Sequence, residues 1–327
     1  MAARRAKTIN LALQGGGSHG AYAWGVLDQF LADGRIEIEG ISGTSAGSVN
    51  AVVYAYGRMI GGVDGAREAL AAFWKRLSAS GAGFNNAQVF QAFKAMTGSV
   101  SPYQWNPFNW NPFREALVAT VDFERLRTCK NTKLFLAATN VESGRARIFT
   151  TAEVSADVVM ASSCLPFLFQ AVEIEGQHYW DGGYMGNPVL YPLFYGTDSR
   201  DVVIIHINPI ERAGVPHLAH EIENRLNEIT FNSSLIKELR AIAFVQKLVE
   251  EGWLKPDFRG NLKNVLIHSI RADKALADLS VPSKFSLDWK FLTDLHSRGL
   301  STGKAWLAEN YPHLGRRSST DLRKEFL

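Results

Sequence analysis

The chain has 327 residues, of which 46% are hydrophobic and 20% charged, a balance typical of a globular protein with a sizeable core. Its formal net charge of +3 is small for this length, and it contains no long Lys/Arg run or basic stripe, so we expect no nucleic-acid partner. Cys129 and Cys164 are the only cysteines, which excludes a disulfide framework and a cysteine-based zinc site and favours a reducing compartment.

Targeting signals are also missing from the sequence. Residues 1–7 form a basic N-terminal segment, but the apolar run that follows is short and ends in glycines, so it does not resemble a signal peptide. No apolar run approaches the roughly 18 residues needed to span a bilayer. We therefore expect a cytoplasmic protein, for which peripheral contact with a membrane is an open alternative.

The first third of the chain alternates predicted strands and helices. Residues 8–14 and 36–41 have the pattern of strands, and residues 18–32 and 45–56 that of helices. This alternation predicts an α/β fold with a mostly parallel sheet. Apolar patterning predicts further elements along the chain, with helices at 63–77, 86–96, 216–251 and 287–309, and strands at 133–139, 146–150, 171–174, 201–208 and 264–270.

No low-complexity linker divides the chain, so a single domain is expected. Its core covers residues 8–210, and the C-terminal helices and late strand of residues 211–315 complete the same domain. Residues 316–327 form a polar tail that we expect to be partly mobile.

An aromatic insertion occupies residues 101–113. It contains a short repeat, Trp-Asn-Pro-Phe, at 105–108 and again at 110–113. The prolines of this repeat argue against a regular helix or a central strand. One interpretation is a lid that dips aromatic side chains into a lipid interface. The other is that these side chains complete the core, which we favour because most large apolar side chains are buried.

Ser45 lies between two glycines in Gly43-Thr44-Ser45-Ala46-Gly47, directly after a predicted strand. A nucleophilic serine on a sharp strand-to-helix turn needs neighbours that are nearly free of side chains. The alternative is a helix N-terminus built from small residues.

A second glycine cluster, residues 15–20, joins the first predicted strand to the first helix. Gly15, Gly17 and Gly20 satisfy a dinucleotide-binding spacing, but the second strand lacks the acidic residue expected at its end. A P-loop is excluded because no Gly-Lys-Ser/Thr follows. The third interpretation is a set of N–H donors for an oxyanion, which would lie at the same sheet edge as Ser45.

Asp181, followed by Gly182 and Gly183, is the candidate base for Ser45. A carboxylate beside the serine could accept its proton directly, although Asp-Gly is also a favoured turn dipeptide. Among the eight histidines, His19 and His178 could approach the site, but no histidine is singled out by its spacing.

Together these segments resemble the patatin-like phospholipase family over roughly residues 8–210. The resemblance rests on the glycines at 15–17, the Gly-x-Ser-x-Gly turn at 43–47, and the Asp-Gly-Gly motif at 181–183 with Asn187-Pro188 following. It implies a three-layer α/β/α fold and a Ser-Asp dyad without a triad histidine. Ser45 would be the nucleophile, Asp181 the base, and Gly15, Gly16 and Gly17 the oxyanion hole, with no metal or cofactor.

The glycine loop departs from the family pattern, because Ser18 and His19 stand where many relatives carry Arg or Lys. We therefore predict that activity at acidic to neutral pH depends partly on a protonated His19, with Ser18, Gly182 and Gly183 also next to the site. The implied substrate is a lipid or other acyl ester, with phospholipids and lysophospholipids favoured. Acyl transfer, thioester cleavage and polyester depolymerisation would use the same dyad, and a non-catalytic nucleotide- or ligand-binding regulator is the alternative from another class.

Overall fold

A computed structural model describes residues 6–80, 100–253 and 262–327. The predicted helix at 86–96 lies outside these residues. Within the described ranges, no helix is long and apolar enough to cross a membrane.

The described residues form a central sheet whose strands follow the order β5-β6-β3-β2-β1-β7-β8, with β4 also paired to β3. The pairs β3-β2, β2-β1, β1-β7 and β7-β8 are all parallel, which confirms the predicted mostly parallel sheet. The strands are β1 (Lys7–Leu13), β2 (Ile36–Thr44), β3 (Lys133–Asn140), β4 (Ala146–Thr150), β5 (Val172–Ile174), β6 (Gln177–Asp181), β7 (Asp201–His206) and β8 (Leu266–Arg271).

Helices cover both faces of this sheet. They are α1 (Gly20–Asp33), α2 (Ala46–Ser80), α3 (Pro102–Trp105), α4 (Pro112–Val118), α5 (Phe123–Leu126), α6 (Ala156–Ser162), α7 (Tyr191–Gly196), α8 (Ala219–Glu250), α9 (Trp289–Asn310) and α10 (Leu322–Phe326). Short 3-10 helices, among them Gly17–His19, Gly182–Tyr184 and Val281–Phe285, shape the loops at one edge of the sheet.

Alternation along the buried strands divides the core into two layers. Leu11 and Leu13 of β1 face the cluster that contains α1, α2 and α9, whereas Ala12 faces the cluster that contains α7, α8 and α10. Successive side chains of a strand point to opposite faces, so a strand buried on both sides is apolar throughout. The architecture is therefore the predicted three-layer α/β/α fold.

Three predicted features differ from the observed ones. α2 joins the helices predicted at 45–56 and 63–77, with non-helical backbone at Gly61 and Gly62 between them. The aromatic insertion holds two short helices, α3 and α4, because a proline at the start of a helix removes no helical hydrogen bond. The polar tail is anchored, since Leu322 of α10 is buried in the core.

The sheet register brings two strand ends together on β3. Thr44, the last residue of β2, pairs with Ala137, and Asp181, the last residue of β6, pairs with the next residue, Ala138. β4 pairs with the same stretch of β3, and a strand has only two edges, so β2 and β6 must share the other edge and meet end to end. This meeting point places residues 45 and 181 side by side, although 135 residues separate them along the chain.

Candidate active site

Ser45 occupies a sharp turn between β2 and α2. Its φ of 55° lies in the left-handed region that non-glycine residues seldom adopt. The glycine at 47 is required by close packing, since a Cβ there would lie 2.2 Å from the carbonyl oxygen of Leu13. Below the turn, the Ser45 N–H donates to Ser162 Oγ at 3.0 Å, and Ser162 Oγ lies 2.7 Å from Ser48 Oγ. The surrounding structure thus holds a strained serine in one orientation.

Asp181 is fully buried at the end of β6. Its Oδ1 accepts a hydrogen bond from the Gly183 N–H at 2.7 Å. Burial raises the pKa of this carboxyl to about 6, while the hydrogen bonds of Gly183 and Ser45 oppose that rise. A carboxylate with a pKa near 6 is a stronger proton acceptor than an exposed aspartate and is still ionised at neutral pH.

The Ser45 hydroxyl interacts with Asp181 closely enough to lower the pKa of its carboxyl. Asp181 Oδ2 is buried and lacks a hydrogen bond of full geometry among the described residues. Catalytic hydrogen bonds are often longer than ideal before substrate binds. A long contact of this kind between the Ser45 hydroxyl and Asp181 accounts for both observations. No histidine is among the described residues that line the cavity with Ser45 and Asp181.

Gly16 and Gly17 line the same cavity as Ser45 and Asp181. They open the 3-10 helix Gly17–His19, which leads directly into α1, and the first N–H groups of a helix have no acceptor within it. Gly17 has a φ of 58°, and a Cβ there would lie 2.3 Å from the carbonyl oxygen of Lys284. The loop therefore lines the cavity with the start of a helix, in a backbone conformation that requires glycine at position 17.

The cavity above these residues has a volume of about 300 Å³ and is lined mainly by apolar side chains. Its lining includes Val49, Trp74 and Leu77 of α2, Phe231 of α8, and Phe285. A mostly apolar pocket with a few polar groups at one end is typical of a site for a small apolar molecule or chain.

Comparison with known proteins identifies the family. A family model described as patatin-like phospholipase matches residues 11–193, more than half of the chain. The chain belongs to this family. No protein with a curated description matches it significantly.

The chain is distantly similar to two solved structures. VipD from Legionella pneumophila is 14% identical, with a TM-score of 0.42, over 92% of this chain and 66% of that one. Full-length ExoU in complex with SpcU, from Pseudomonas aeruginosa, is 13% identical, with a TM-score of 0.32, over 91% of this chain and 53% of that one. This chain thus spans between about half and two thirds of those chains, and similarities at these TM-scores assign no function.

Two predictions for the glycine loop of this patatin-like protein need correction. The Gly15 N–H is not free to bind an oxyanion, because it donates to Asn187 Oδ1 at 2.6 Å. Gly15 serves close packing instead, since a Cβ there would lie 2.6 Å from Ser45 Cβ. His19 is buried, its Nε2 lies 2.7 Å from Ser283 Oγ, and burial together with Lys284 lowers its pKa to about 3. His19 is therefore neutral at acidic to neutral pH, so it cannot supply the positive charge expected of it.

Ser18, Gly182 and Gly183 were also predicted to lie next to the site. Ser18 lines the cavity. Gly182 packs against β3, where a Cβ would lie 2.2 Å from the carbonyl oxygen of Ala137. Gly183 donates to Asp181 and packs against Phe231. Both glycines thus fix the position of the carboxylate.

Sequence reasoning missed the amide side chains that hold the glycine loop. Gln14 Oε1 accepts from the N–H groups of Ile207 and Asn208 at 2.9 and 3.0 Å, and Asn208 Nδ2 donates to the Gly15 carbonyl at 2.8 Å. Polar residues just after buried parallel strands were the available signal, because such positions meet at the site edge of the sheet. Lys284, which also lines the cavity, follows no such strand, and nothing in the sequence pointed to it.

The predicted core role is wrong for part of the aromatic insertion. Phe108 is 93% exposed, and Tyr103 and Trp110 are more than half exposed. Trp105, Trp110 and Phe113 line the cavity. The insertion therefore forms one rim of the candidate active site, and its outer side chains face solvent.

Proposed function

We propose that this protein is a serine acyl hydrolase that cleaves acyl esters of phospholipids or lysophospholipids. The observation that carries the proposal is the buried carboxyl of Asp181 beside the strained Ser45, at the polar end of an apolar cavity. Membership of the patatin-like phospholipase family supports the same reaction class.

In the first half of the reaction, Asp181 Oδ2 accepts the proton of Ser45 Oγ as that oxygen attacks the acyl carbonyl carbon. The N–H groups of Gly16 and Gly17 would then stabilise the negative charge on the carbonyl oxygen. Each such donor is typically worth a hundredfold or more in rate. The C–O bond to the leaving group breaks, the leaving alcohol takes the proton from Asp181, and the acyl group remains on Ser45.

In the second half, water attacks the acyl-enzyme and gives its proton to Asp181. The tetrahedral intermediate collapses, the fatty acid leaves, and the proton returns to Ser45 Oγ. This sequence consumes one water and returns both side chains to their starting states. An alcohol or thiol in place of water would give acyl transfer by the same steps.

The apolar cavity supports an acyl chain as the group bound next to Ser45. The side chains named above and those of the aromatic insertion surround this space, and burying apolar surface contributes about 0.8 kcal/mol per methylene group. A lipid acyl chain gains more from such a cavity than a short acyl group does.

Exposed aromatic side chains at the cavity rim support contact with a lipid surface. Phe108 and Phe167 are 93% and 83% exposed, and Gln170 Nε2 donates to the Asn106 carbonyl at 2.8 Å, which joins the two rim segments. Aromatic side chains at a membrane interface gain free energy that they lack in water. A protein that binds vesicles through this rim would receive substrate directly from the bilayer.

Product analysis tests the proposed reaction. The wild type is incubated with a panel of phospholipids, lysophospholipids, acyl thioesters and polyesters, and products are identified by mass spectrometry. Free fatty acid released from the phospholipid or lysophospholipid, and absent with Ser45→Ala, is the expected result. Release from thioesters or polyesters alone, or transfer of the acyl group to an added alcohol without hydrolysis, would contradict the proposed substrate class or reaction. A folded wild type that processes no ester would favour the non-catalytic ligand-binding alternative.

The rim is tested with a Phe108→Ser/Phe167→Ser double variant. We expect slower hydrolysis of vesicle phospholipid with unchanged hydrolysis of a soluble short-chain ester. Tyr195→Ser is the matched control, because Tyr195 is also 83% exposed but lies on α7 beside a different cavity. Equal loss on both substrates, or an equal effect of the control on vesicles, would contradict lipid contact through the rim.

A further inference from the structure

A lysine from the C-terminal part of the chain packs against the glycine loop. Lys284 lies on the 3-10 helix Val281–Phe285 and lines the cavity together with Gly16, Gly17 and Ser45. Its backbone is so close to the loop that a Cβ at Gly17 would lie 2.3 Å from the Lys284 carbonyl oxygen. Nearby, the hydrogen bond between His19 and Ser283 fastens the same segment to the loop.

Among the described residues, the hydrogen-bond acceptors of Lys284 are neutral. Nζ donates to Asn208 Oδ1 at 2.7 Å and to Asn227 Oδ1 at 3.0 Å, and both acceptors are neutral amides. An ammonium group has three N–H donors, and these bonds account for two of them among the described residues. Among the described residues, the acid that acts on Lys284 electrostatically is Glu228.

Glu228 is itself committed to other cations. Its carboxylate lies 2.7 Å from Arg212 Nη2 and 3.2 Å from Arg225 Nη1, and its side chain is almost fully buried. The charge of Glu228 is thus shared with two guanidinium groups. One carboxylate is therefore shared among three cationic side chains, Lys284 included.

One amide side chain connects Lys284 to the loop beside the nucleophile. Asn208 accepts from Lys284 through Oδ1 and donates through Nδ2 to the Gly15 carbonyl at 2.8 Å. Gly15 in turn lies against Ser45, with its Cβ position 2.6 Å from Ser45 Cβ. The ammonium group is therefore linked through Asn208 to the glycine loop beside Ser45.

We infer that Lys284 is a positioning residue whose positive charge strengthens the anion-binding glycine loop during acyl transfer, an inference that rests on the proposed function. A positive charge in weakly screened surroundings stabilises an anion several ångströms away, and the developing oxyanion is the anion that forms at this loop. Lys284 thus supplies the positive charge that the loop residues Ser18 and His19 do not provide.

The titration of Lys284 gives this role a measurable signature. Burial and the nearby Arg212 lower the pKa of Lys284 to about 8, while Glu228 opposes that change. His19, which faces Lys284 from the loop, has a pKa of about 3 and stays neutral over this range. Asp181, with a pKa of about 6, must be ionised to act as the base. The kcat/KM for a neutral ester should therefore rise through about pH 6 and fall through about pH 8.

The experiment uses p-nitrophenyl butyrate, a neutral soluble ester, corrected for spontaneous hydrolysis at each pH. Lys284→Met keeps an unbranched side chain of similar length and removes the charge. We expect kcat to fall on the order of tenfold, less than the hundredfold typical of a donor in direct contact, with KM nearly unchanged. In the pH profile of kcat/KM, the fall on the alkaline side (the alkaline limb) should vanish, and the rise on the acidic side (the acidic limb) should stay.

Asn227→Asp provides a second test that keeps Lys284 in place. A carboxylate at this position favours the charged ammonium group, so the alkaline limb should move to higher pH. If thermal melting shows that Lys284→Met does not fold, Asn227→Asp tests the inference on its own.

Three results would overturn the inference. An unchanged kcat in Lys284→Met would show that the charge does not contribute, and a lower kcat with the alkaline limb retained would show a merely structural role. An alkaline limb that stays at the same pH in Asn227→Asp would also show a merely structural role for Lys284. A wild type that neither hydrolyses the ester nor reacts with a fluorophosphonate would instead overturn the proposed function, and this inference with it.

Discussion

Asp181 carries a carboxyl group whose ionised form the fold disfavours, so Asp181→Asn should be more stable than the wild type while losing turnover. Asn has nearly the same shape and keeps an oxygen that can accept the hydrogen bond from the Gly183 N–H, observed at 2.7 Å. It has no charge to desolvate, and it cannot accept a proton from Ser45. Removing a general base typically lowers the rate about 10²- to 10⁴-fold.

The size of the stability gain follows from the pKa of Asp181. Burial raises that pKa from 3.8 to about 6, and each pH unit corresponds to about 1.4 kcal/mol, so the ionised carboxylate destabilises the fold by about 3 kcal/mol. Asp181 is fully buried, so solvent screening does not reduce this figure. Asp181→Asn removes this penalty, so its gain in free energy of unfolding should approach but not exceed about 3 kcal/mol.

The pH dependence has a definite sign. Below about pH 4 the carboxyl is protonated in both folded and unfolded chains, so its charge contributes no penalty. Between about pH 4 and pH 6 the unfolded chain ionises first, and the wild type loses stability relative to Asp181→Asn. Above about pH 6 the difference should be constant.

Urea unfolding of both proteins at pH 5 and pH 8 measures this difference directly. We expect Asp181→Asn to have the higher free energy of unfolding at pH 8, with a smaller advantage at pH 5. If the variant were less stable by the same amount at both pH values, the argument from a desolvated carboxylate would be refuted.

Three further predictions concern the turn and its surroundings. Gly47→Ala should destabilise the fold by about 3 kcal/mol or more in urea unfolding, because the new Cβ would meet the Leu13 carbonyl oxygen at 2.2 Å, whereas Gly61→Ala, with open space around it, should be tolerated. Ser162→Ala should cost about 1–2 kcal/mol and slow the labelling of Ser45 by a fluorophosphonate, because the Ser45 N–H loses its acceptor. His19→Ala should leave both limbs of the pH-rate profile in place, since His19 is neutral throughout that range.

Each of these predictions has a contrary outcome. Equal stability of the two glycine variants would show that position 47 has room for a side chain. Unchanged labelling of Ser162→Ala would mean that the hydrogen bond does not orient the turn. A shift of the acidic limb in His19→Ala would restore the protonated His19 of the sequence-based prediction.

The fold could be predicted from sequence because the same residues carry several signals. Residues 202–205 are apolar at every position and lie in β7, which is buried on both faces. A half-exposed strand would alternate apolar and polar residues, so the sequence pattern alone predicts burial on both faces. The glycines at 43 and 47 are forced by backbone approach, so their pattern is visible in the sequence. Local chemistry of this kind also identified Ser45 and Asp181 as candidates.

What the sequence could not supply depends on contacts between distant segments. The amide of Asn187 occupies the Gly15 N–H, which no property of residue 15 reveals. His19 is neutral because of what surrounds it, and the cation beside the loop comes from residue 284. The exposure of Phe108 likewise depends on how the insertion packs, since an aromatic side chain alone favours burial.

The central claim, that Ser45 is a nucleophile activated by Asp181, is tested most directly by mass spectrometry of the protein after incubation with a fluorophosphonate. The account predicts a single phosphonyl adduct on the peptide containing Ser45 in the wild type, no adduct in Ser45→Ala, and much slower labelling in Asp181→Asn. An adduct on another residue, or labelling of Asp181→Asn at the wild-type rate, would contradict it.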